Sequence, residues 1–555
     1  MYLGIDLGTS SMKCLIIGDN QEIIHNVSSK DIPLSNLKSG WSEQDPSSWI
    51  KALEQCFEQL KEKIKLNEIK SISFSGHMHG ATCIDKDHEV IRPCILWNDT
   101  RSHQECKDIM NDKSVMDIAG NIAMPGFTAP KVLWLKNNEF ENFKLIHKVL
   151  LPKDYLRFYL TGEFFSDLSD ASGTYWLDIE KRNWSNKLLE ASLMNISQMP
   201  NICEGTDQTG VIKKDIAEKY DLNINCKVFG GAGDNAAAAV GLGLYEEGDE
   251  SISLGTSGVI FGSTKRFLKN YDDAIHSFCH CLPKTWHLMS VMLSCTSNIN
   301  WFINTFNSSL KEITDQLRNS MLSENLINNS PYYLPYLTGE RTPINDPHVR
   351  ASFHNMGIET DRSLLAYSLI EGISFGLNDN YQALSKTGIK LDNLFVIGGG
   401  SNNEYWIKLL ASILDRDLAI TEASDAMAAY GAARLAFLGF NALDHSEVLK
   451  PPTVKKIIEK DSNLNSLLRD RFNDWKNYYI MQIDIYTSPI CGYCTIAKKL
   501  LVKKGVDFKE FDVLKDRSLK STMVERSNGS KTVPQIFINR QHIGNFRSST
   551  SNQES

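Results

Sequence analysis

Two short glycine-hydroxyl turns, far apart in the chain, have the composition of a phosphate-binding site. Gly8-Thr9-Ser10 and Gly255-Thr256-Ser257 each lie between two runs of β-forming residues. A tight turn between strands exposes backbone N–H groups, and its hydroxyls add further donors for the phosphates of ATP. Asp6 precedes the first turn and is placed to hold Mg²⁺ through water, because that ion prefers hard oxygen ligands. Lys13 could neutralise the negative charge of the phosphates. The alternative interpretation of the two turns is that they are ordinary hairpins.

A single carboxylate follows another turn built of small residues. In Phe229-Gly230-Gly231-Ala232-Gly233-Asp234 the small residues let a ligand approach the backbone, and the alanines after Asp234 predict a helix. A carboxylate within reach of a hydroxyl can orient it and take its proton during phosphoryl transfer. Aspartate is also a common helix N-cap, so a catalytic and a structural interpretation both stay open.

A third segment of small residues favours a flat ligand. Ile397 is followed by three glycines where a strand is predicted to enter a helix. Bare backbone at Gly399 and Gly400 would let an adenine ring lie against it, with Asn403 as a polar contact, and a plain strand-to-helix turn is the alternative. The chain contains no Gly-x-x-x-x-Gly-Lys-Ser/Thr segment, which argues against a P-loop kinase.

Cys491 and Cys494 form a Cys-x-x-Cys motif between a predicted strand and a predicted helix. A helix N-terminus stabilises a thiolate, so Cys491 is predicted to be the nucleophile and Cys494 the resolving thiol. Pro534 predicts a cis-proline loop beside the two thiols. Two unreactive core cysteines are the alternative.

Strands that alternate with amphipathic helices must position these groups. Strands are predicted at Tyr2 to Asp6, Met12 to Ile17, Ile69 to Ser75 and Lys227 to Gly231, with a helix at Trp49 to Ile64. The alternation predicts an α/β architecture. Because Leu-Gly-Thr-Ser recurs at about half the length of the chain, a duplicated domain with a ligand cleft between its copies is predicted.

Composition restricts the partners. The formal net charge of −8 argues against a nucleic-acid partner, which would require a basic surface. No apolar run has the length that spans a bilayer, and the first residues lack the pattern of a secretion signal, so no membrane partner is expected. The cysteines outside the Cys-x-x-Cys pair are predicted to be reduced core residues, which favours a cytoplasmic protein.

In this order and spacing, residues 1 to about 480 resemble the FGGY carbohydrate kinases of the actin and hexokinase superfamily. The segment 126–138 is similar to the family signature centred on Lys-x-x-Trp-Leu, and the segments 75–80, 96–99, 276–280 and 334–343 extend the resemblance. It implies two duplicated ribonuclease H-like lobes around a cleft. Residues 1–245 would bind a sugar, residues 246–440 would bind the nucleotide, and residues 441–480 would form an extension.

The resemblance also implies residue roles and a reaction. The reaction would be transfer of the γ-phosphate of ATP, with Mg²⁺, to a ketopentose, with D-xylulose as the first choice. The implied roles are sugar contacts at Met78, His79, Trp97, Asp99 and Asn235, catalysis at Asp234 and Asp6, phosphate contacts at Gly8, Thr9, Ser10, Lys13, Gly255 and Thr256, and adenosine contacts at Gly399, Gly400 and Asn403. His77 stands where members of this group usually carry glutamine. Ribulose, glycerol or gluconate therefore stay open as substrates, as does a sugar sensor without turnover.

Residues 481–555 resemble glutaredoxin, a small thioredoxin-like α/β fold that uses glutathione. Gly492 stands where proline is usual, and after Gly544 the family's Gly-Asp pair and last helix are not found, so a truncated and weakly active or inactive module is predicted. Met481 directly follows the expected last kinase helix. One hypothesis is that two genes were joined, in nature or in sequence assembly. A thiol-disulfide oxidoreductase carried by a large inert domain is the alternative function, and a homodimer is left open.

Overall fold

The computed structural model describes residues 1–321, 323–421, 426–450, 453–479, 483–503, 506, 508–527, 529–538 and 541–544. Three larger sheets organise this part of the chain, two of seven strands and one of four. Predictions that concern Lys504, residues 480–482 and the segment after Gly544 lie outside the described residues.

The first sheet has the first glycine turn at the end of a central hairpin. Tyr2–Leu7 pairs antiparallel with Met12–Ile17 and parallel with Ser71–Gly76. The predicted strand that begins at Lys227 ends at Phe229, because Gly231 has a positive φ of 77° that a strand does not adopt. In spatial order the strands are Gln208–Val211, Lys227–Phe229, Ser71–Gly76, Tyr2–Leu7, Met12–Ile17 and Ile23–Ser28, and Ala232–Gly233 pairs with the end of Ser71–Gly76.

The second sheet repeats this arrangement around the second turn. Asp249–Leu254 pairs antiparallel with Gly258–Thr264 and parallel with Asn393–Ile397, whose end leads into the glycine cluster. The predicted duplication is therefore confirmed. In spatial order the strands are His276–Cys279, Trp286–Met292, Gly258–Thr264, Asp249–Leu254, Asn393–Ile397, Leu418–Thr421 and Val454–Ile458.

Helices and small two-stranded sheets surround these two sheets. None of the described helices combines the length and apolar character needed to cross a membrane. The helices are Pro46–Lys61, His103–Ile109, Lys113–Ala119, Thr128–Asn138, Phe140–Leu145, Pro152–Thr161, Leu168–Ala171, Asn186–Glu190, Lys214–Tyr220, Asp234–Leu242, Thr296–Phe306, Leu310–Met321, Glu324–Asn329, Arg362–Ser385, Glu404–Leu414, Met427–Asn441, His445–Val448 and Ser462–Tyr479. The small sheets pair Glu43–Gln44 with Cys94–Ile95, Thr82–Ile84 with Lys148–Leu150, Phe165–Asp167 with Asn201–Cys203, Leu177–Asp178 with Asn183–Trp184, and Tyr332–Leu334 with Ser352–His354.

The helix Met427–Asn441 lies between two strands of the second sheet in the chain, yet it packs on the first half. It packs on Tyr2–Leu7 of the first sheet and crosses the helix Asp234–Leu242. At that crossing a Cβ added to Gly431 would lie 1.7 Å from the Ala237 carbonyl oxygen, so only glycine allows the close approach. The predicted boundary at residue 440 assigns this helix to the second lobe, whereas it packs against the first sheet.

The last sheet forms a separate small module. Its strands, in spatial order, are Lys509–Asp512, Ile483–Thr487, Gln535–Ile538 and Gln541–Gly544, with helices at Gly492–Lys503 and Arg517–Arg526. Tyr486, Val513, Met523 and Phe537 form a core of their own. The Val533–Pro534 peptide bond is cis, which confirms the prediction for Pro534.

Candidate active site

Asp234 has an oxygen that is available for chemistry. It is the first residue of the helix Asp234–Leu242, and Gly233 occupies the cap position, so the N-cap interpretation is wrong. The backbone and side-chain N–H groups of Asn235 both donate to Oδ1 of Asp234, at 2.7 and 2.9 Å. No described residue donates a hydrogen bond to Oδ2. This oxygen can therefore accept a proton or a hydrogen bond from a ligand.

Burial and, to a smaller extent, the negative charge of Asp6 together raise the pKa of Asp234 to about 6, although the hydrogen bonds from Asn235 act in the opposite direction. The pKa of Asp6 is also raised by burial, although Ser75 Oγ donates to it at 2.8 Å and Lys13 acts in the opposite direction. The two carboxylates therefore share one poorly solvated region, where a bound cation would be stabilised.

A buried ionic network positions the turn before Asp234. Ser169 Oγ accepts a hydrogen bond from the Gly233 N–H at 3.0 Å, and the Arg157 guanidinium donates to the Gly230 carbonyl. Lys153 Nζ lies 2.6 Å from both Asp154 and Asp167. Because Lys153 and Arg157 both supply positive charge to these carboxylates, the cluster is interpreted as a scaffold for the turn.

The first glycine turn is held from two sides. Its Gly8 N–H donates to the Ser11 carbonyl at 3.0 Å, so the turn itself uses that donor, and Thr9 and Ser10 supply the N–H groups for a ligand. Gln44 Nε2 donates to the Thr9 carbonyl at 2.7 Å, and Trp97 Nε1 donates to the Thr9 hydroxyl at 3.1 Å. Trp97, predicted as a sugar contact, thus lies beside this turn.

The second glycine turn is held by the start of the helix Thr296–Phe306. The N–H and hydroxyl groups of Thr296 donate to the Gly255 carbonyl at 3.0 and 2.8 Å, and the Ser297 hydroxyl donates to the Thr256 carbonyl at 3.0 Å. With its carbonyls engaged in this way, the turn keeps the N–H groups of Thr256 and Ser257 for other partners. The two turns are thus built alike and supported differently.

Two cavities lie at the glycine cluster, and residues next to the second turn, Ser253 and Thr296, line them. One cavity of about 570 Å³ is lined by Asp234, Ser253 and Gly399, among others. The other, of about 490 Å³, is lined by Gly399, Gly400, Thr296 and further residues. Because Gly399 lines both, one elongated ligand can extend from the second cavity to Asp234.

The glycine cluster fits a flat group, and Asn403 beside it has hydrogen-bond partners within the protein. A Cβ on Gly400 would lie 2.6 Å from the Trp406 ring, whereas one on Gly399 would meet nothing within 4 Å. Asn403 Oδ1 accepts from the Trp406 N–H at 3.2 Å, and its Nδ2 donates to Thr314 Oγ1 at 3.0 Å. Asn403 lines the cavity and caps the helix, and its Nδ2 keeps a second N–H, so the contact with adenine stays a prediction.

Met78 and His79 lie next to the Asp234 turn. A Cβ on Gly233 would lie 3.0 Å from the Met78 side chain, and His79 Nδ1 is 2.8 Å from the Gly173 carbonyl oxygen. Burial lowers the pKa of His79 to about 3, so the ring is neutral and its Nδ1–H donates to Gly173. Nε2 is then an acceptor for a hydroxyl group.

Asp99 is removed from the proposed sugar contacts. One of its oxygens accepts from the Arg101 N–H and Nε, both at 2.9 Å, and the other from the Ser42 N–H at 2.6 Å and Arg101 Nη2 at 2.7 Å. The side chain is 1% exposed. A carboxylate with four internal hydrogen bonds stabilises its own loop and has little capacity left for a ligand.

His77 packs against the residues that support the first glycine turn. It is buried, neither ring nitrogen has a hydrogen-bond partner among the described residues, and burial lowers its pKa to about 3. Its ring packs edge-on against Trp49, whose Nε1 donates to Gln44 Oε1 at 3.0 Å. The change from glutamine therefore affects the residue that holds Thr9.

The Cys-x-x-Cys motif adopts the predicted geometry. Cys491 is partly exposed, and its Sγ accepts from the Cys494 N–H at 3.2 Å. Cys494 is buried, which raises the pKa of its thiol to about 12. The sequence predicts that the helix starts at Cys494, and it begins two residues earlier, at Gly492.

Sequence reasoning missed the residues that hold these groups. Lys153, Arg157, Ser169, Thr296 and Lys131 were not predicted. The available signal was the spacing of Lys153 and Arg157, two basic residues four apart in a helix that is otherwise largely apolar and carries an adjacent aspartate.

Comparison with known proteins identifies similar chains. The N-terminal and C-terminal domains of the FGGY family of carbohydrate kinases match residues 1–241 and 251–440, and glutaredoxin matches residues 483–543. A xylulose kinase of Escherichia coli (strain K12) is 41% identical over 444 residues, which are 80% of this chain and 90% of that protein. The solved structure of a xylulose kinase from Brucella ovis has a TM-score of 0.82 at 41% identity and covers 86% of this chain and 98% of its own. The solved structure of a gluconate kinase from Lactobacillus acidophilus has a TM-score of 0.79 at 25% identity and covers 86% of this chain and 96% of its own.

Proposed function

Because the chain belongs to the FGGY family of carbohydrate kinases and contains a glutaredoxin domain, we propose that it transfers the γ-phosphate of ATP to the C5 hydroxyl of D-xylulose. The observation that supports this best is the position of Asp234. Asp234 lines the same cavity as Gly399, and Gly233, the residue before it, lies against the Met78 side chain. The kinases at 41% identity support D-xylulose as the sugar.

In the proposed reaction Asp234 is the base. Its pKa of about 6 keeps Asp234 ionised at neutral pH, so Oδ2 can accept the proton of the sugar hydroxyl. The hydroxyl oxygen bonds to the γ-phosphorus while the bond from that phosphorus to the β–γ bridging oxygen breaks, and ADP is the leaving group. The two glycine turns hold the phosphates through Thr9, Ser10, Thr256 and Ser257. The first lobe binds the sugar, and the second lobe binds the nucleotide. When bound, Mg²⁺ would neutralise phosphate charge, with Asp6 holding it through water, and the poorly compensated charge of Asp6 fits this role. Closing of the two lobes would exclude water from the transfer.

A substrate panel tests the proposal. ADP release is measured with limiting D-xylulose, D-ribulose, glycerol or D-gluconate, for the parent protein and for Asp234→Ala. We expect the highest kcat/KM with D-xylulose and a loss of about 10²- to 10⁴-fold in the variant, the range for a removed general base. Cys491→Ser is the matched control and keeps the parent rate. A preference for D-gluconate would contradict the sugar, and full activity of Asp234→Ala would contradict the base.

For the glutaredoxin domain we propose glutathione-dependent disulfide exchange at Cys491, because this thiol is partly exposed and accepts a helix N-terminal hydrogen bond. Reduction of a mixed disulfide by the full chain, compared with Cys491→Ser, measures it. Equal rates for the two proteins would contradict the assignment. A cytoplasmic location, homodimer formation and weak redox turnover stay predictions.

A further inference from the structure

Glu340 is a buried acid whose side chain holds backbone N–H groups. The residue is 3% exposed, and its Oε1 accepts from the N–H groups of Leu293 and Arg341 at 2.9 and 2.7 Å. Its Oε2 is buried and has no hydrogen-bond partner among the described residues. Because burial of an unpartnered polar oxygen costs free energy, this carboxyl group indicates a role that packing alone does not explain.

Leu293 links the end of a strand to the second glycine turn. It directly follows the strand Trp286–Met292, and the residues after it donate hydrogen bonds to the turn. The Cys295 N–H donates to the Thr256 carbonyl at 2.9 Å, and the Thr296 N–H donates to the Gly255 carbonyl at 3.0 Å. The position of the turn therefore depends on the segment that begins at Leu293.

The residues on either side of Glu340 contact the same part of the chain. The Thr338 and Ser294 hydroxyl oxygens lie 3.2 Å apart and form a hydrogen bond. The Thr342 N–H donates to the Val291 carbonyl, and the Val291 N–H donates to Thr342 Oγ1, both at 3.1 Å. Glu340 lies between these contacts, so the whole segment around it follows the approach to the second glycine turn.

We propose that Glu340 is a positioning residue for the phosphates of ATP, because it fixes Leu293 and thereby the N–H groups that the second glycine turn keeps for a ligand. This inference rests on the proposed function and deepens it. Glu340 does not line the cavity that contains Asp234 or the cavity that contains Gly400, so its effect on the nucleotide is indirect. Removal of its carboxyl group should therefore weaken phosphate binding more than adenosine binding.

The test compares two ligands that differ in their phosphates. Dissociation constants of the β,γ-methylene analogue of ATP, with Mg²⁺, and of adenosine are measured by calorimetric titration for the parent protein, Glu340→Ala and Glu340→Gln. We expect Glu340→Ala to bind the analogue at least about 10-fold more weakly and adenosine less than about 3-fold more weakly, because the Leu293 N–H loses its acceptor and the turn loses its support.

Glu340→Gln should restore binding. Burial raises the pKa of Glu340 to about 8, so the carboxyl group is mostly uncharged at neutral pH. Glutamine is also uncharged and keeps an oxygen that can accept from the Leu293 N–H. Both dissociation constants of Glu340→Gln should therefore stay within about 3-fold of the parent values.

Two further variants separate positioning from general destabilisation. Glu371→Ala removes another buried carboxylate of the same lobe, paired with Arg471 at 2.6 Å, and should lower the melting temperature without changing either constant. Should Glu340→Ala not fold, Thr338→Val takes its place, because it removes the hydrogen bond to Ser294 from an exposed position. It should weaken binding of the analogue about 3- to 5-fold and that of adenosine less than about twofold.

The outcomes distinguish this inference from the proposed function. A smaller loss in Glu340→Ala, a loss that adenosine shares, or an equal loss in Glu340→Gln overturns the inference, and so does an unchanged constant for the analogue in Thr338→Val. The measurements need no turnover. A parent protein that binds the analogue without phosphorylating D-xylulose therefore overturns the proposed sugar, while the variants still decide the role of Glu340. A parent protein that does not bind the analogue overturns both.

Discussion

The carboxylates of Asp6 and Asp234 set the pH range of the proposed reaction. Asp234 must be ionised to accept a proton, and its pKa is raised to about 6. Acidification through this value protonates the base, so kcat/KM for D-xylulose should fall below pH about 6. The fall should approach tenfold for each further pH unit, as for one titrating group. The pH dependence of kcat/KM at fixed Mg-ATP measures this acid limb.

The control for this prediction changes the neighbouring charge. Asp6→Asn removes the negative charge that raises the pKa of Asp234, so the midpoint of the residual activity should move to lower pH. The rate itself should also fall, because Asp6 is proposed to hold Mg²⁺ through water. An acid limb whose midpoint is the same in both proteins would show that another group controls it.

At the residue scale, the sequence predicted the groups that act through their own chemistry. Asp234 and the two glycine turns were identifiable because their residue types, and the repetition of the turn, are visible in the sequence itself. The roles of Asp99 and Asn403 were not predictable. Their partners, such as Ser42 and Thr314, lie 57 and 89 residues away along the chain, and only the fold brings them together.

At the scale of elements, the helix Thr128–Asn138 positions His79. The backbone of His79 has a positive φ of 70°, which costs a residue with a side chain about 1–3 kcal/mol. Its carbonyl accepts hydrogen bonds from Thr128 Oγ1 and Lys131 Nζ, both at 3.0 Å. Lys131 is fully buried, and burial lowers its pKa to about 7. The helix therefore fixes an unfavourable conformation that the sugar site needs.

Replacing Lys131 with methionine should weaken sugar binding. The change removes the donor to the His79 carbonyl, so we expect the KM for D-xylulose to rise about 10-fold, the effect of one charged hydrogen bond, while the KM for ATP stays within about twofold. Steady-state kinetics with each substrate varied in turn measure both. Thr128→Val, which removes a neutral donor to the same carbonyl, should give a smaller rise. An equal effect on both KM values would point to general destabilisation and would contradict the positioning role.

Some elements could be predicted from the sequence, and some contacts between elements could not. Met12–Ile17 was predicted with its observed bounds because a short run of apolar residues is a local property of the sequence. The crossing of Met427–Asn441 over Asp234–Leu242 was not predicted. Gly431 carries no sign of its partner, and its need for glycine follows from the nearby Ala237 carbonyl. Contacts between distant helices are properties of the assembled fold.

At the scale of the whole molecule, phosphoryl transfer and thiol chemistry are assigned to different parts. The first belongs to two copies of one sheet arrangement, and the second to one independent module. The two sheets repeat the order of antiparallel hairpin and parallel neighbour, so both glycine turns are carried by equivalent strands. Burial raises the pKa of kinase thiols such as Cys83 and Cys106 to about 12. Thiol chemistry is thereby confined to the module, and phosphoryl transfer to the lobes.

This division predicts that one cysteine reacts first. Ten of the twelve cysteines lie buried in the kinase lobes, Cys494 is buried in the module, and Cys491 alone is partly exposed. Brief treatment of the native protein with iodoacetamide at neutral pH should give a single adduct, because alkylation requires an accessible thiolate. Peptide mass spectrometry should locate it at Cys491. Cys491→Ser should remain unlabelled.

The kinase rate should be unchanged after labelling, because the module has its own core around Tyr486 and Phe537. Early labelling of a cysteine in the lobes, or loss of kinase activity on modification of Cys491, would mean that the two chemistries are coupled.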